Sequence, residues 1–195
     1  MDSETYPQAL AARPRRADAL RNHEKLVGAA REAFAEGGSA TSLEAIARRA
    51  GVGIGTLYRN FASRQDLLEA VYVEEVEALS RSATELAELE PWDALVAWLH
   101  RFVAYLATKQ ALAEELLAYL DRDSEFFRGC RAAFTAAGVP LLERAQAAGV
   151  VRPDTDFHTV IQMVSGIAKI PSAEPGQVLA ILDIALDGLR YRAVE

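Results

Sequence analysis

The sequence predicts an all-α chain of two domains, a three-helix N-terminal head joined by a long helix to a larger helical domain. Three observations predict it. Apolar residues recur at helical spacing along most of the chain, and no stretch alternates as a strand does. Gly37-Gly38, Gly51 and Glu90-Pro91 punctuate that pattern where helices must stop and turn. Charge is divided as unevenly: residues 13–64 carry ten Lys/Arg against five Asp/Glu, a net +5, so the total of −7 leaves −12 elsewhere. A basic head on an acidic body suits local binding of a polyanion, because screening beyond ~8–10 Å hides the remote charge. The bounds that follow are a disordered basic arm at 1–17, a head at 18–72 and a larger helical domain at 73–195.

The arm comes first. Residues 1 to about 12 show no periodicity, and Arg13, Arg15 and Arg16 follow as a basic run. The first helix spans about Ala17 to Glu36 on the stripe Leu26, Ala30 and Phe34, and Gly37-Gly38 ends it. Thr41 and Glu44 then have the spacing of a capping box. Leu43, Ile46, Ala47 and Ala50 form the stripe of a short helix, and Gly51 supplies the left-handed residue that closes it. A second short helix, Gly55 to about Phe61, keeps Leu57 and Phe61 inside. It turns Thr56, Tyr58, Arg59 and Asn60 outward. Ser63 caps a third helix, with Asp66 in the capping-box position.

Helix, glycine turn, helix is the helix-turn-helix pattern, whose second helix lies in the major groove of DNA. The alternative is a helical hairpin inside an ordinary bundle. On the first reading Arg59, Asn60 and Thr56 face base edges or adjacent phosphates, while Tyr58, Arg64, Thr41 and Ser42 hold the backbone near Gly55. Arg13, Arg15 and Arg16 are then either a solvated run or an arm along the backbone or minor groove. The glycines of Gly51-x-Gly53-x-Gly55 serve as turn formers, since a nucleotide-binding fingerprint needs a preceding strand and another spacing.

Ile46-Ala47, Ala50-Gly51-Val52, Gly55-Thr56-Leu57-Tyr58 and Phe61 followed by Ser63-Arg64 and Leu67 closely resemble the DNA-binding head of the tetracycline-repressor (TetR) family. The resemblance covers about residues 18–72. Two positions depart from it: Gly53 stands where the family often has Ser, and Arg64 where Lys is usual. The single Cys130 and the lack of an apolar leader segment predict a cytoplasmic protein, and the resemblance implies a transcriptional regulator. It implies a homodimeric repressor released from a palindromic double-stranded DNA operator by a small-molecule effector.

The helix from Ser63 runs to about Glu88, and Pro91 suits the first turn of the next. Trp92–Thr108, Ala111–Leu120 and Glu125 to about Gln146 follow, the last bent or divided at Gly138-Val-Pro140. Ser124 caps it, since Asp121-Arg-Asp123-Ser-Glu125 lacks the glycine of a calcium loop. Phe157–Ala168 and Gln177–Arg192 complete the set after a loop at 149–154.

Between Trp92 and Phe134 the sequence concentrates Trp98, Phe102, Tyr105, Leu116, Tyr119, Leu120, Phe127 and Phe134. Such a set either fills a core or lines an effector pocket whose polar tips orient a ligand. No basic cluster recurs there, so the sequence favours an uncharged or cationic, largely apolar ligand. A dimer interface is expected on the last two helices, from the stripes Phe157, Ile161, Val164 and Ala168 and Ile181, Leu182, Ala185, Leu186 and Leu189.

Other classes find little support. His23, His100 and His158 lie far apart, lone Cys130 has no disulfide partner, and no nucleophile stands beside a base. The sequence therefore predicts no metal, cofactor or catalytic site. No run approaches the ~20 apolar residues of a membrane span. Two rivals remain: a helical enzyme or ligand carrier with an incidental basic head, and a non-specific architectural DNA binder.

Overall fold

The computed structural model describes residues 12–171 and 176–190, with side chains from Asp18 onward apart from positions 39 and 111. Eight α-helices follow in order: α1 (Ala12–Gly37), α2 (Leu43–Arg49), α3 (Ile54–Asn60), α4 (Arg64–Glu85), α5 (Pro91–Leu116), α6 (Glu125–Ala147), α7 (Phe157–Ala168) and α8 (Gln177–Asp187). A single 3₁₀ turn, Gly38–Ala40, links α1 to α2. The described residues form no sheet, only an isolated antiparallel bridge between Val151 and Arg190. Two compact units meet between Val71 and Tyr72, inside α4. None of the described helices is long and apolar enough to cross a membrane.

The first unit is built on the predicted stripe. Leu26, Ala30 and Phe34 of α1 are buried together with Ile46, Ala47, Leu57, Phe61, Leu67, Leu68 and Val71. Gly51 takes φ 70°, and the amides of Gly51 and Val52 bond back to Arg48 and Ala47. That pair of reverse bonds ends α2 with its last carbonyls satisfied. Ser63 and Asp66 cap α4 reciprocally, each backbone amide meeting the other's side chain at 3.0 and 3.1 Å.

Several boundaries differ from the sequence expectation. Helix α1 begins at Ala12, so Arg13, Arg15 and Arg16 lie on its first turns and not on an irregular arm. Pro14 does not prevent this, because the first amides of a helix have no intrahelical acceptor to lose. Residues 1–11 lie outside the described residues. The cap of α2 is Ser42, which accepts from Ala45 N at 3.1 Å. Thr41 is drawn away because its hydroxyl donates to the Ala33 carbonyl at 2.9 Å. Among the three turn glycines only Gly51 has a positive φ; Gly53 is the extended cap of α3, and Gly55 is helical.

In the second unit α5 runs unbroken through 107–111, since Ala-Thr-Lys-Gln-Ala contains no helix breaker. Helix α6 is also continuous: Pro140 removes one donor, but the helix resumes on both sides. Ser124 caps it as predicted, accepting from Phe127 N. Helix α4 stops at Glu85, where Arg144 of α6 donates to the Ala87 and Leu89 carbonyls at 2.6 and 3.0 Å. Helix α8 stops at Asp187, and beyond it the Leu189 carbonyl accepts from Arg152 N at 2.9 Å.

Candidate functional site

Helix α3 has only seven residues, and Leu57 is the one among them that is buried. Leu57 and Phe61, one turn apart, pin the helix to the core and fix its outward face. Tyr58 is 51% exposed, Arg59 is exposed, and Thr56 and Asn60 are half-buried. The Arg59 guanidinium donates to Thr56 Oγ1 at 2.8 Å, which orients it along the helix and leaves further N–H groups to face outward. The Asn60 amide donates to the Thr56 carbonyl at 2.8 Å, so its nitrogen is committed to ending α3. A Cβ on Gly53 or Gly55 would meet no heavy atom within 4 Å. The fold itself therefore does not demand glycine at the exposed start of α3.

The expected backbone-holding set divides. Ser42 is exposed, and its oxygen accepts from Ala45 while its proton remains available to a donor bond outward. Thr41 and Arg64 are turned inward. The Arg64 guanidinium donates to the Thr41 carbonyl and lies 5.0 Å from the centroid of the Phe34 ring. Gly37 leaves room for Thr41, since a Cβ there would stand 2.6 Å from Thr41 Oγ1. Together they brace the end of α1, the turn and the start of α4. Arg48, missed by the sequence reading, is exposed in the last turn of α2, a position that its place beside Arg49 could have suggested. Arg49 instead pairs with Glu36 at 2.5 Å, and this hydrogen bond holds the Glu36 carboxyl below the usual range.

In the second unit the aromatic set also divides. Trp98, Phe102 and Leu116 are fully buried. Trp98 stacks on Phe102 at 5.8 Å and 11°, and its indole N–H donates to the Leu79 carbonyl at 3.2 Å. Its polar tip is thus satisfied within the core. Phe127 is buried against Tyr72, whereas Tyr119 is 47% exposed and Leu120 half-buried. Tyr105 and Phe134 are buried too, but beside Lys109, whose ammonium lies 5.5 Å from the Tyr105 ring centroid and 5.9 Å from that of Phe134. Lys109 was not singled out in the sequence. The signal is its place in the register of Phe102, Tyr105, Leu112 and Leu116, a cation on an apolar stripe.

Burial pushes the Tyr72 phenol up to about 12, and pushes Tyr105 up as well. Their hydroxyls perturb one another's ionisation, yet the Tyr105 oxygen lacks a hydrogen bond of good geometry among the described residues. Both folded-state values exceed the ~10 of an unfolded phenol. Their contribution to stability is therefore fully present below pH ~10 and is lost as pH rises through the folded values. Burial depresses the Lys109 ammonium, which acts oppositely: its unfavourable charge is relieved as pH rises toward the ordinary lysine value of ~10.4. Denaturant midpoints should fall between pH ~10 and ~12, less steeply in Tyr72→Phe. Equal slopes in the two proteins would refute the assignment to Tyr72.

The expected dimer stripes are partly spent inside the unit. Phe157, Val164, Leu182, Leu186 and Leu189 are buried there, Phe157 against the Trp98 ring of α5. Ile161, Ala168, Ile181 and Ala185 remain half-buried, and Ile184, on the same helix, is 75% exposed. The histidines stay apart: His23 lies against the Phe61 ring, His100 bonds Asp183 at 2.6 Å, and His158 is exposed.

Residues 26–71 match the model described as bacterial regulatory proteins of the tetR family. Residues 90–191 match the C-terminal domain of SbtR-like transcriptional regulators. The chain is 40% identical to the TetR transcriptional regulator SCO0520 from Streptomyces coelicolor, over 88% of this chain and 99% of that one, with a TM-score of 0.77. It is 34% identical to a TetR transcription regulatory protein from Mycobacterium vanbaalenii, over 90% and 98%, with a TM-score of 0.75. Against Salmonella enterica GusR the identity is 26%, over 86% and 94%, with a TM-score of 0.61.

Proposed function

Because this chain belongs to the TetR family of DNA-binding transcriptional regulators, we propose that it is a homodimeric repressor whose α3 reads a palindromic operator and which a small effector releases. The observation that carries the reading role is the outward face of α3. Tyr58 and Arg59 are presented to solvent on a helix anchored by Leu57 and Phe61, and Thr56 holds the Arg59 fork in place. A guanidinium so held can meet a guanine edge with two donors, whereas Tyr58 and Ser42 suit phosphate oxygens. Thr41 and Arg64 act behind them as positioning residues.

The dimer reading rests on Ile184 and Ile181, apolar side chains that α8 leaves at the surface of this unit. The effector reading rests on the Tyr72–Glu195 unit, which α4 connects covalently to the head. Regulators of this kind act through binding and not turnover, and the protein is expected in the cytoplasm.

Selection of bound duplexes from random and genomic DNA tests the whole reading. Two inverted half-sites about one helical turn apart, ~34–36 Å, are expected from a dimer. A lone half-site would exclude the two-fold arrangement, and indifference to sequence would leave an architectural binder. On the selected duplex, Arg59→Ala should cost ~1–3 kcal/mol and relax preference at one position. Tyr58→Phe should weaken all duplexes alike and reduce the salt dependence. Operator affinity unchanged in both variants removes α3 as the reader.

A further inference from the structure

Lys109 is a half-buried cation whose ammonium faces rings, not a carboxylate, among the described residues. Three rings surround its ammonium, with centroids at 5.5 Å for Tyr105, 5.8 Å for Tyr72 and 5.9 Å for Phe134. Aromatic faces offset only part of the cost of desolvating an ammonium. Arg131 of α6 and, more weakly, Lys169 at the end of α7 disfavour its charge, while the Cys130 thiol favours it. Arg131 and Lys169 also line a groove of about 780 Å³ between α6 and α7. The floor of that groove is apolar, made of Phe134, Val139, Leu142 and Ile161.

The groove is polarised along its length. Helices α6 and α7 run antiparallel: Gln146, near the end of α6, donates to the Thr155 carbonyl just before α7 begins. Glu143 and Asp156 therefore lie toward that end, and Arg131 and Lys169 toward the other. Phe134 joins the two features, since it forms both the wall of the groove and one face of the cage around Lys109. The Tyr105 hydroxyl, buried in the same cluster, has no well-formed hydrogen bond among the described residues.

We propose that the effector is an organic anion with an apolar body, its carboxylate or sulfonate drawn to Lys109, Arg131 and Lys169 and its body laid along the Phe134–Ile161 floor. This rests on the reading of the Tyr72–Glu195 unit as effector-binding, and it replaces the uncharged or cationic ligand that the sequence suggests. An anion supplies a counter-charge to Arg131 and Lys169 at one end of the groove and to Lys109 beside the Phe134 ring. An apolar body fits a floor with no charged side chain. A neutral or cationic ligand would leave Lys109 uncompensated or add a fourth like charge.

The test compares two probes on the full-length chain: 8-anilinonaphthalene-1-sulfonate and the neutral N-phenyl-1-naphthylamine, which share a body and differ in the sulfonate. Saturable binding of the sulfonate is expected, about tenfold tighter than the neutral probe, as a charge-assisted contact implies. Lys109→Gln and Arg131→Gln should each weaken the sulfonate about tenfold and leave the neutral probe within about twofold. Glu143→Gln, at the far end, should change neither. If Lys109→Gln fails to fold, exposed Arg131→Gln carries the comparison alone. Equal affinity for both probes, or a sulfonate indifferent to these substitutions, overturns the proposal.

The same preparations are titrated with the selected duplex. Weaker duplex binding in the presence of the sulfonate supports an effector site. Charge-dependent binding of the sulfonate without any effect on the duplex overturns the effector role. A protein that binds its duplex but shows no charge preference loses only this proposal. One that binds no duplex loses the regulatory reading beneath it.

Discussion

Trp98→Ala is expected to lower the stability of the Tyr72–Glu195 unit by ~3–5 kcal/mol, the range for truncating a large core aromatic. The side chain is fully buried, stacked on Phe102 and 5.9 Å from the Phe157 ring, so truncation leaves a cavity among rings that cannot collapse freely. It also removes the indole donor to the Leu79 carbonyl, but that carbonyl keeps the Ser82 hydroxyl at 2.6 Å, so the cavity carries most of the cost. Urea denaturation followed by far-UV circular dichroism measures the loss. Trp98→Phe should recover most of the packing but none of the hydrogen bond. A loss below ~1 kcal/mol for the alanine variant would mean that the ring is peripheral after all.

Gly138→Val is expected to cost ~1–3 kcal/mol or more, although replacing a helical glycine ordinarily stabilises. The reason is space. A Cβ at 138 would lie 2.4 and 2.5 Å from ring carbons of Phe157 and 2.6 Å from Cη2 of Trp98. None of these atoms is the end of a flexible chain; all belong to rings held by neighbours. Gly129, on the same helix, is exposed with nothing within 4 Å of its Cβ position. Gly129→Ala should therefore gain ~0.5–1 kcal/mol, which makes it the control for helix propensity. The valine penalty should shrink in a Phe157→Leu background, because sites in contact do not add. Equal effects at 129 and 138 would show that backbone preference, not ring contact, governs α6.

These two contacts mark the limit of what the sequence reveals. Local rules settled the punctuation: Gly51, the Ser63–Asp66 box and the Ser124 cap lie where their spacing places them. They failed at Thr41, where two adjacent hydroxyls compete for one cap and the Ala33 carbonyl, eight residues back, decides between them. The stripes of α7 and α8 looked too wide for one chain to cover. Gly138 lets α6 approach close enough for Phe157 to be buried, and nothing in the periodicity announces that approach. On α3 the outward residues were legible from the period alone. Their bonding was not, since the commitment of the Asn60 amide to Thr56 depends on rotamers. Arg131 and Lys169 are too far apart in sequence to look like a cluster, so their place on one groove emerges only from the fold.

Helix α3 has a further property that follows from its seven residues. Isolated helices below ~12–15 residues do not hold together in water. Its order is therefore borrowed from Leu57 and Phe61, and those side chains are held by α1 and α2. Any fluctuation that releases the two anchors exposes every amide of α3 to exchange with solvent in one event. The surface proposed to read a base sequence thus has no lifetime of its own; it persists as long as the cooperative unit beneath it stays closed.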